Sequence, residues 1–267
     1  MRLFLVRHGE TVDNVAGLYA GVRDSALTAH GALQAQRLAA HLASRSRSPT
    51  TGPITHIFSS DLQRAAHTAQ AVIDAITRSP TAPRDASPLH LVKVPDLRER
   101  NFGSAEGKRF GASRADSETH EAMRIRAERF VRWHLAELLA GGGEGSIVVV
   151  SHGLMLNSLL RVMLARYAPG ELDRLAGPPG VERGEYLTVW SNTGYLEMVV
   201  KRGDAVVVSL PDSVRSRVSL LVIRVNVVDH LEGLKKTRGG IGSAQFDNRQ
   251  RTLDSFLTPS SKKPRLE

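Results

Sequence analysis

Arg7-His8-Gly9-Glu10 follows an apolar run, Leu3-Phe4-Leu5-Val6, and Ser151-His152-Gly153 follows another, Ile147-Val148-Val149-Val150. Imidazole beside guanidinium suits phosphoryl chemistry. A like charge nearby biases the ring toward its neutral form, and neutral imidazole is the nucleophilic form. A second arginine comes from Ser59-Ser60-Asp61-Leu62-Gln63-Arg64-Ala65. A carboxyl comes from Leu97-Arg98-Glu99, followed by Gly103 and Glu106-Gly107. Two guanidinium forks ask for a dianionic partner that accepts bidentate bonds, and phosphate is the obvious one. Helix N-termini after each loop would add backbone N–H donors. A carboxyl close to a bound dianion can hold a proton and give it to a leaving alkoxide. Glu99 has rivals for that task in Asp96, Glu106 and Glu10.

These side chains need elements that gather them. A short apolar run bounded by glycine reads as a buried strand. Strands are predicted at Arg2–Val6, Ile54–Phe58, Leu91–Val94 and Ser146–Val150, with helical patterns between them. Thr28 caps a helix that starts near Gly31 and buries Leu38 and Leu42. Ser60 or Asp61 caps a second, with Ala65, Ala69, Val72, Ile73 and Ile76 on one face. A third runs from about Ser117 to Leu139, with Phe130, Trp133 and Leu138 among its apolar positions, and Gly141-Gly142-Gly143 ends it. A fourth opens after His152. The alternation predicts an α/β three-layer sandwich: a mostly parallel central sheet with helices on both faces. Glu185–Trp190, Tyr195–Val200, Ala205–Leu210 and Leu220–Val228 predict strands added late, at an edge. Ser44–Pro53 and Ser79–Pro88 read as exposed loops. Carboxyl ends of parallel strands form the ligand crevice, so the two His-Gly units and the Arg64 helix should meet there.

The chain has 267 residues, 41% of them hydrophobic, enough for one sizeable α/β domain and a tail. Cysteine is absent, which excludes disulfides, thiol chemistry and Cys-based metal sites and fits a reducing compartment. The opening residues are too short for a signal peptide, and no apolar stretch reaches the roughly 18 residues of a membrane helix. A cytoplasmic or nuclear protein is expected. The net charge is +9; residues 233–267 hold eight Lys/Arg against three Asp/Glu. That concentration divides a catalytic domain, 1–232, from a basic and flexible tail, 233–267. Most such excess is solvated surface, and direct nucleic-acid binding by the main domain is not expected.

In order, the motifs resemble the histidine phosphatase superfamily, in its phosphoglycerate-mutase-like branch. The match covers Arg7-His8-Gly9-Glu10-Thr11 with Asn14, the Ser59–Ala65 helix start, the Leu97–Gly107 pattern and Ser151-His152-Gly153, over roughly residues 1 to 200. The resemblance implies that His8 attacks phosphorus and forms a phosphohistidine. It implies that Arg7, Arg64 and His152 cradle the phosphoryl oxygens, with Asn14, Thr11, Arg23 and Gly153 contacting the substrate. Glu99 would protonate the leaving group and activate water. No metal and no cofactor are implied. Only 52 residues separate Glu99 from His152. The long insertion of cofactor-dependent mutases is thus missing, which favours water as acceptor and a phosphoric monoester hydrolase of the histidine acid/alkaline type over a mutase. The substrate would be an anionic small-molecule or protein phosphate.

The tail suggests a different class of function. Gln250, Leu253 and Phe256 are similar to the PCNA-interacting peptide pattern, with Leu257 where an aromatic is usual. Lys262-Lys263-Pro264-Arg265 fits a short nuclear-import pattern. Thr237–Ser243 resembles tails of fungal phosphoglycerate-mutase-like proteins. A nuclear adaptor docking a PCNA-like sliding clamp through 250–257 is therefore the alternative, its phosphatase activity secondary.

Overall fold

The computed structural model describes residues 1–78, 88–141, 143, 145–176, 187–203, 218–235, 237–238 and 245–246. The apolar runs form one six-stranded sheet: β1 Arg2–Arg7, β2 Ile54–Ser59, β3 Leu91–Lys93, β4 Ser146–Ser151, β5 Tyr195–Arg202 and β6 Val218–Val227. Their order is β3-β2-β4-β1-β5-β6. The first four in that order are parallel; β5 pairs antiparallel with β1, and β6 antiparallel with β5. This is the expected mostly parallel sheet with late edge strands.

Side chains alternate across the pleat, so each central strand feeds two cores. Leu3, Leu5, Ile147 and Val149 pack with Phe130, Leu135, Leu156, Leu159 and Met163. On the other face Phe4, Val6, Val148 and Val150 pack with Leu38, Leu42, Ala65, Ala69 and Val72. The second face belongs to α2, Ala29–Arg45, and α3, Gln63–Thr77, which follow the short α1, Val12–Ala16. The first belongs to α4, His120–Phe130, a π-helical turn, Val131–Leu135, α5, Ala136–Ala140, and α6, Gly153–Tyr167. Thr28 caps α2 as expected, accepting from Gly31 N–H at 2.9 Å. Thr119 caps α4, and Gly141 ends α5. The helix α7, Pro169–Ala176, follows α6.

Four expectations differ from what is found. Neither Ser60 nor Asp61 caps α3. Leu62 occupies the N-cap, and the Gln63 N–H is instead capped by Asp24 Oδ1 at 2.7 Å, from a loop 39 residues away. Asp61 pairs with Arg98 through bonds of 2.8 and 2.6 Å. Residues 187–190, the described end of the predicted strand Glu185–Trp190, are not strand; Asn157 Oδ1 accepts the N–H groups of Leu187 and Thr188 and holds them as a loop. Trp133 is 69% exposed although expected in the apolar face. It stands two residues from each of the buried Val131 and Leu135, on the opposite side of the π-helical turn, so spacing overrides residue type. The predicted loop Ser44–Pro53 begins inside α2, which runs to Arg45.

The chain divides into a unit Met1–Leu234 and a unit Lys235–Glu267. In the second, two-residue strands β7, Thr237–Arg238, and β8, Gln245–Phe246, pair in parallel. Gln250, Leu253, Phe256, the nuclear-import pattern, the predicted strand Ala205–Leu210 and loop residues 79–87 lie outside the described residues. Among the described residues no helix is long and apolar enough to cross a membrane.

Candidate active site

Register brings the motifs together. Arg7 on β1 pairs with Ser151 on β4, and Ser59 on β2 with Val150. The ladder continues past the strand ends: His8 N–H donates to Ser151 O, and Ser60 N–H to Val150 O, both at 3.0 Å. Three strands therefore end flush, and the chain leaves each of them carrying His8, the α3 turn with Arg64, or His152. Gly9 turns the chain where nothing larger fits, since a Cβ there would lie 2.6 Å from Gly31 O.

The two imidazoles lie with ring centroids 5.1 Å apart, both buried. Their protonation pattern follows from partners that cannot change role. His8 Nδ1 is 2.6 Å from Gly9 O, and a carbonyl only accepts, so Nδ1 carries the hydrogen and Nε2 the lone pair. His152 Nδ1 faces Arg64 Nε at 3.1 Å, and a guanidinium only donates, so here Nδ1 has the lone pair and Nε2 the hydrogen. His152 Nε2 is buried and has no hydrogen-bond partner among the described residues. Both rings are held neutral well below the usual imidazole value. Burial is the larger cause for each, followed by the charges of Arg64 and Arg7 for His8, and of Arg64 and then His8 for His152. The Gly9 carbonyl pulls His8 the other way.

Arg64 is 1% exposed. Besides His152 it donates to Arg23 O and Gly21 O, each at 2.7 Å, so all its described bonds run to fixed acceptors. Burial pulls its affinity for the proton down, opposed by Glu99, Asp24 and Asp13. Arg7 donates from its guanidinium to Trp190 O at 2.6 Å.

The four carboxyls separate by their partners. Glu106 Oε1 accepts from Val22 and Phe102 N–H, tying two loops together. Asp96 pairs with Arg129. Glu10 accepts from Thr28 Oγ1 at 3.0 Å. Glu99 alone of the four faces the start of α6: its oxygens accept from Leu154 N–H at 3.2 Å and Met155 N–H at 3.1 Å, just after His152. Oε1 also accepts from Arg100 N–H at 2.9 Å, which fills it, while Oε2 keeps a lone pair for other work.

Of the remaining predicted residues, Thr11 and Asn14 form a capping box at α1. Arg23 is exposed, with its guanidinium against Gly107; its backbone oxygen is what reaches Arg64. Gly153 opens α6, and a Cβ there would stand 3.9 Å from Glu99 Oε2. None of residues 190–194 is among the site residues expected from the sequence. Asn192 Nδ2 donates to His8 O and Asn14 Oδ1, each at 3.2 Å, and Thr193 N–H donates to His8 O at 3.2 Å. The available signal was topological: β5 runs against β1, so the turn that enters β5 must stand over the end of β1. A separate groove of about 1300 Å³ runs between α4 and α6 and meets the site at Leu154. Among the described residues no group of three or more His, Cys, Asp or Glu side chains is placed to hold a metal ion.

A buried lone pair, a buried N–H donor 5.1 Å away by ring centroid, two guanidiniums and a carboxyl at a helix N-terminus are the parts that an anion site with a nucleophilic nitrogen requires. Comparison with known proteins agrees. The sequence model of the histidine phosphatase superfamily (branch 1) matches residues 3–180. A probable phosphatase of Schizosaccharomyces pombe is 30% identical over 95% of this chain and 79% of its own length. A probable phosphoglycerate mutase of Yersinia enterocolitica is 31% identical over 61% of this chain and 75% of its own. The solved alpha-ribazole phosphatase of Shigella flexneri superposes with a TM-score of 0.55 at 25% identity, covering 85% of this chain and 97% of that one. The chain therefore belongs to branch 1 of the histidine phosphatase superfamily, among its phosphatases and mutase-like enzymes.

Proposed function

We propose that the protein is a phosphomonoesterase that works through a covalent phosphohistidine on His8, with water as the final acceptor. The observation that carries this is the complementary wiring of the two rings, a lone pair on His8 Nε2 and a hydrogen on His152 Nε2. His8 Nε2 attacks phosphorus as the ester P–O bond breaks, and Glu99 hands its proton to the departing alkoxide. Glu99 then takes a proton from water, whose oxygen attacks phosphorus. The P–N bond breaks, its electron pair returns to His8 Nε2, and phosphate leaves. Charge on the non-bridging oxygens is met by Arg7, Arg64, His152 Nε2–H and the Asn14 amide, in positions fixed beforehand. The bond from Nδ1–H to Gly9 O steadies the positive charge on the ring while phosphorus is attached.

Hydrolysis is favoured over mutase transfer because 52 residues between Glu99 and His152 leave no long insertion to cover the site. The substrate class is an anionic phosphate monoester, on a small molecule or a protein. The test is metal-free hydrolysis of para-nitrophenyl phosphate in EDTA by wild type and His8→Ala. Rapid quench should trap an acid-labile, base-stable phosphoryl label on wild type, and its persistence in His8→Ala would sink the assignment. The tail pattern Gln250, Leu253 and Phe256 supports a separate proposal of sliding-clamp docking. A peptide of residues 250–257 that gives no saturable binding to PCNA at hundreds of micromolar would remove it.

A further inference from the structure

Asn192 sits in a chain of polar groups whose direction is fixed at both ends. Thr11 N–H donates to Asn14 Oδ1 at 3.2 Å, and a backbone N–H can only donate. The Asn14 atom facing it is therefore the oxygen. At the far end stands the carbonyl of His8, which can only accept. Asn192 reaches both Asn14 Oδ1 and His8 O, so it presents its Nδ2 to the two acceptors. Asn14 then has its oxygen committed to two donors. Its own amide hydrogens must lie on the opposite side of the group.

On the footing of the phosphohistidine chemistry proposed above, we infer that Asn192 is a positioning residue: it fixes the Asn14 side chain with its donor face toward the phosphoryl group and ties that face to the backbone of His8. The surrounding loop is built to hold it. Asn226, with a left-handed φ of 48°, accepts Ser191 N–H at 2.8 Å and donates to Ser191 Oγ at 3.1 Å. Thr193 is itself left-handed, at φ 55°, and its hydroxyl lies 3.0 Å from His230 Nε2. Two non-glycine residues in that region mark a turn whose shape is imposed by its contacts. With Thr193 directly after Asn192 and Asn226 across from it on β6, they aim the amide at His8.

The shape-conserving change Asn192→Asp puts an oxygen where the donor was, against two other oxygens. Asn192→Ala removes the donor alone. Both are compared with wild type, Asn14→Ala and Asn192→Ala/Asn14→Ala, using para-nitrophenyl phosphate turnover and calorimetric titration with inorganic phosphate. Thermal melts identify any variant that fails to fold, and the shape-conserving variant keeps the test alive if the alanine variant does. Asn192→Ala should lower kcat/KM about tenfold, mostly in kcat, and Asn192→Asp about 100-fold. In the Asn14→Ala background the Asn192→Ala loss should shrink to about twofold, because the residue acts through its neighbour. Equal losses in both backgrounds, or wild-type turnover and phosphate affinity in the Asn192 variants, would overturn the inference. Turnover that survives in His8→Ala sinks the phosphohistidine instead, and the phosphate titrations then still decide on Asn192. A wild type that binds no phosphate overturns both.

Discussion

The two His-Gly turns look like copies in the sequence and are opposites in the fold. Each follows four buried apolar residues, and each ring is buried and held neutral. Yet His8 bonds through Nδ1 to the carbonyl of the next residue, while His152 bonds through Nδ1 to a guanidinium from another helix. The first partner leaves a basic nitrogen over the crevice. The second leaves an N–H. One motif thus presents a lone pair in one copy and an N–H donor in the other, which the proposed mechanism uses as nucleophile and oxyanion donor, and the choice lies with what touches the far side of each ring.

The hardest break of that contrast is His8→Ala, expected to lower kcat by about 10⁴-fold or more, since the covalent route disappears. His152→Ala removes one donor from a preset oxyanion site and should lower kcat about 10²- to 10³-fold while phosphohistidine still forms on quench. Equal losses in the two variants would contradict the division of labour. Arg64→Lys keeps charge but loses the fork that serves His152 Nδ1, Gly21 O and Arg23 O at once. It should destabilise the fold by about 2–3 kcal/mol in urea unfolding, because buried carbonyls lose their donors, and reduce kcat with the His152 variant rather than adding to it.

The smallest effect is one the two rings share. Both have folded-state values below the unfolded one, so below about pH 6.5 the unfolded chain binds more protons and stability falls with acid; above that pH their contribution is complete. His41 and His230 act with the same sign, His230 down to about 4. Urea unfolding from pH 8 to 5 should show a loss that each of His8→Gln and His152→Gln makes shallower, by at most about 1.4 kcal/mol per pH unit per ring. A profile unchanged by either variant would mean that the rings titrate alike in the folded and unfolded chains.

What could be seen in the chain beforehand was whatever is local or periodic. Four-residue apolar runs ending at glycine became the central strands, and the register that makes them flush followed. The residues missed are held by partners remote in sequence. Gln63 takes its cap from Asp24, and Asn192 finds His8 across 184 residues. Glu106 carries a motif position, yet its contacts are with Val22 and Phe102, not with the crevice. Trp133 was misplaced for a different reason: its type was weighed, and its angle on the helix was not. The opposite hydrogen bonding of His8 and His152 was beyond any local pattern, because Arg64 arrives on α3, the helix that follows a third strand.

The loop from Gly17 to Arg23 holds Arg64 by the carbonyls of Gly21 and Arg23, while Glu106 clasps it at Val22 and leaves no room for a side chain on Gly21, whose Cβ would lie 2.0 Å from Oε1. Carbonyl oxygens are common to every residue type. Most letters in this stretch can therefore change freely in descendants, with new side chains facing new substrates, while the arginine stays aimed. Insertions and deletions have no such freedom, since one residue more or fewer would slide both oxygens off the guanidinium. Variation among relatives here should be rich in substitutions and poor in gaps, and a grafted loop should carry activity only when its length is kept.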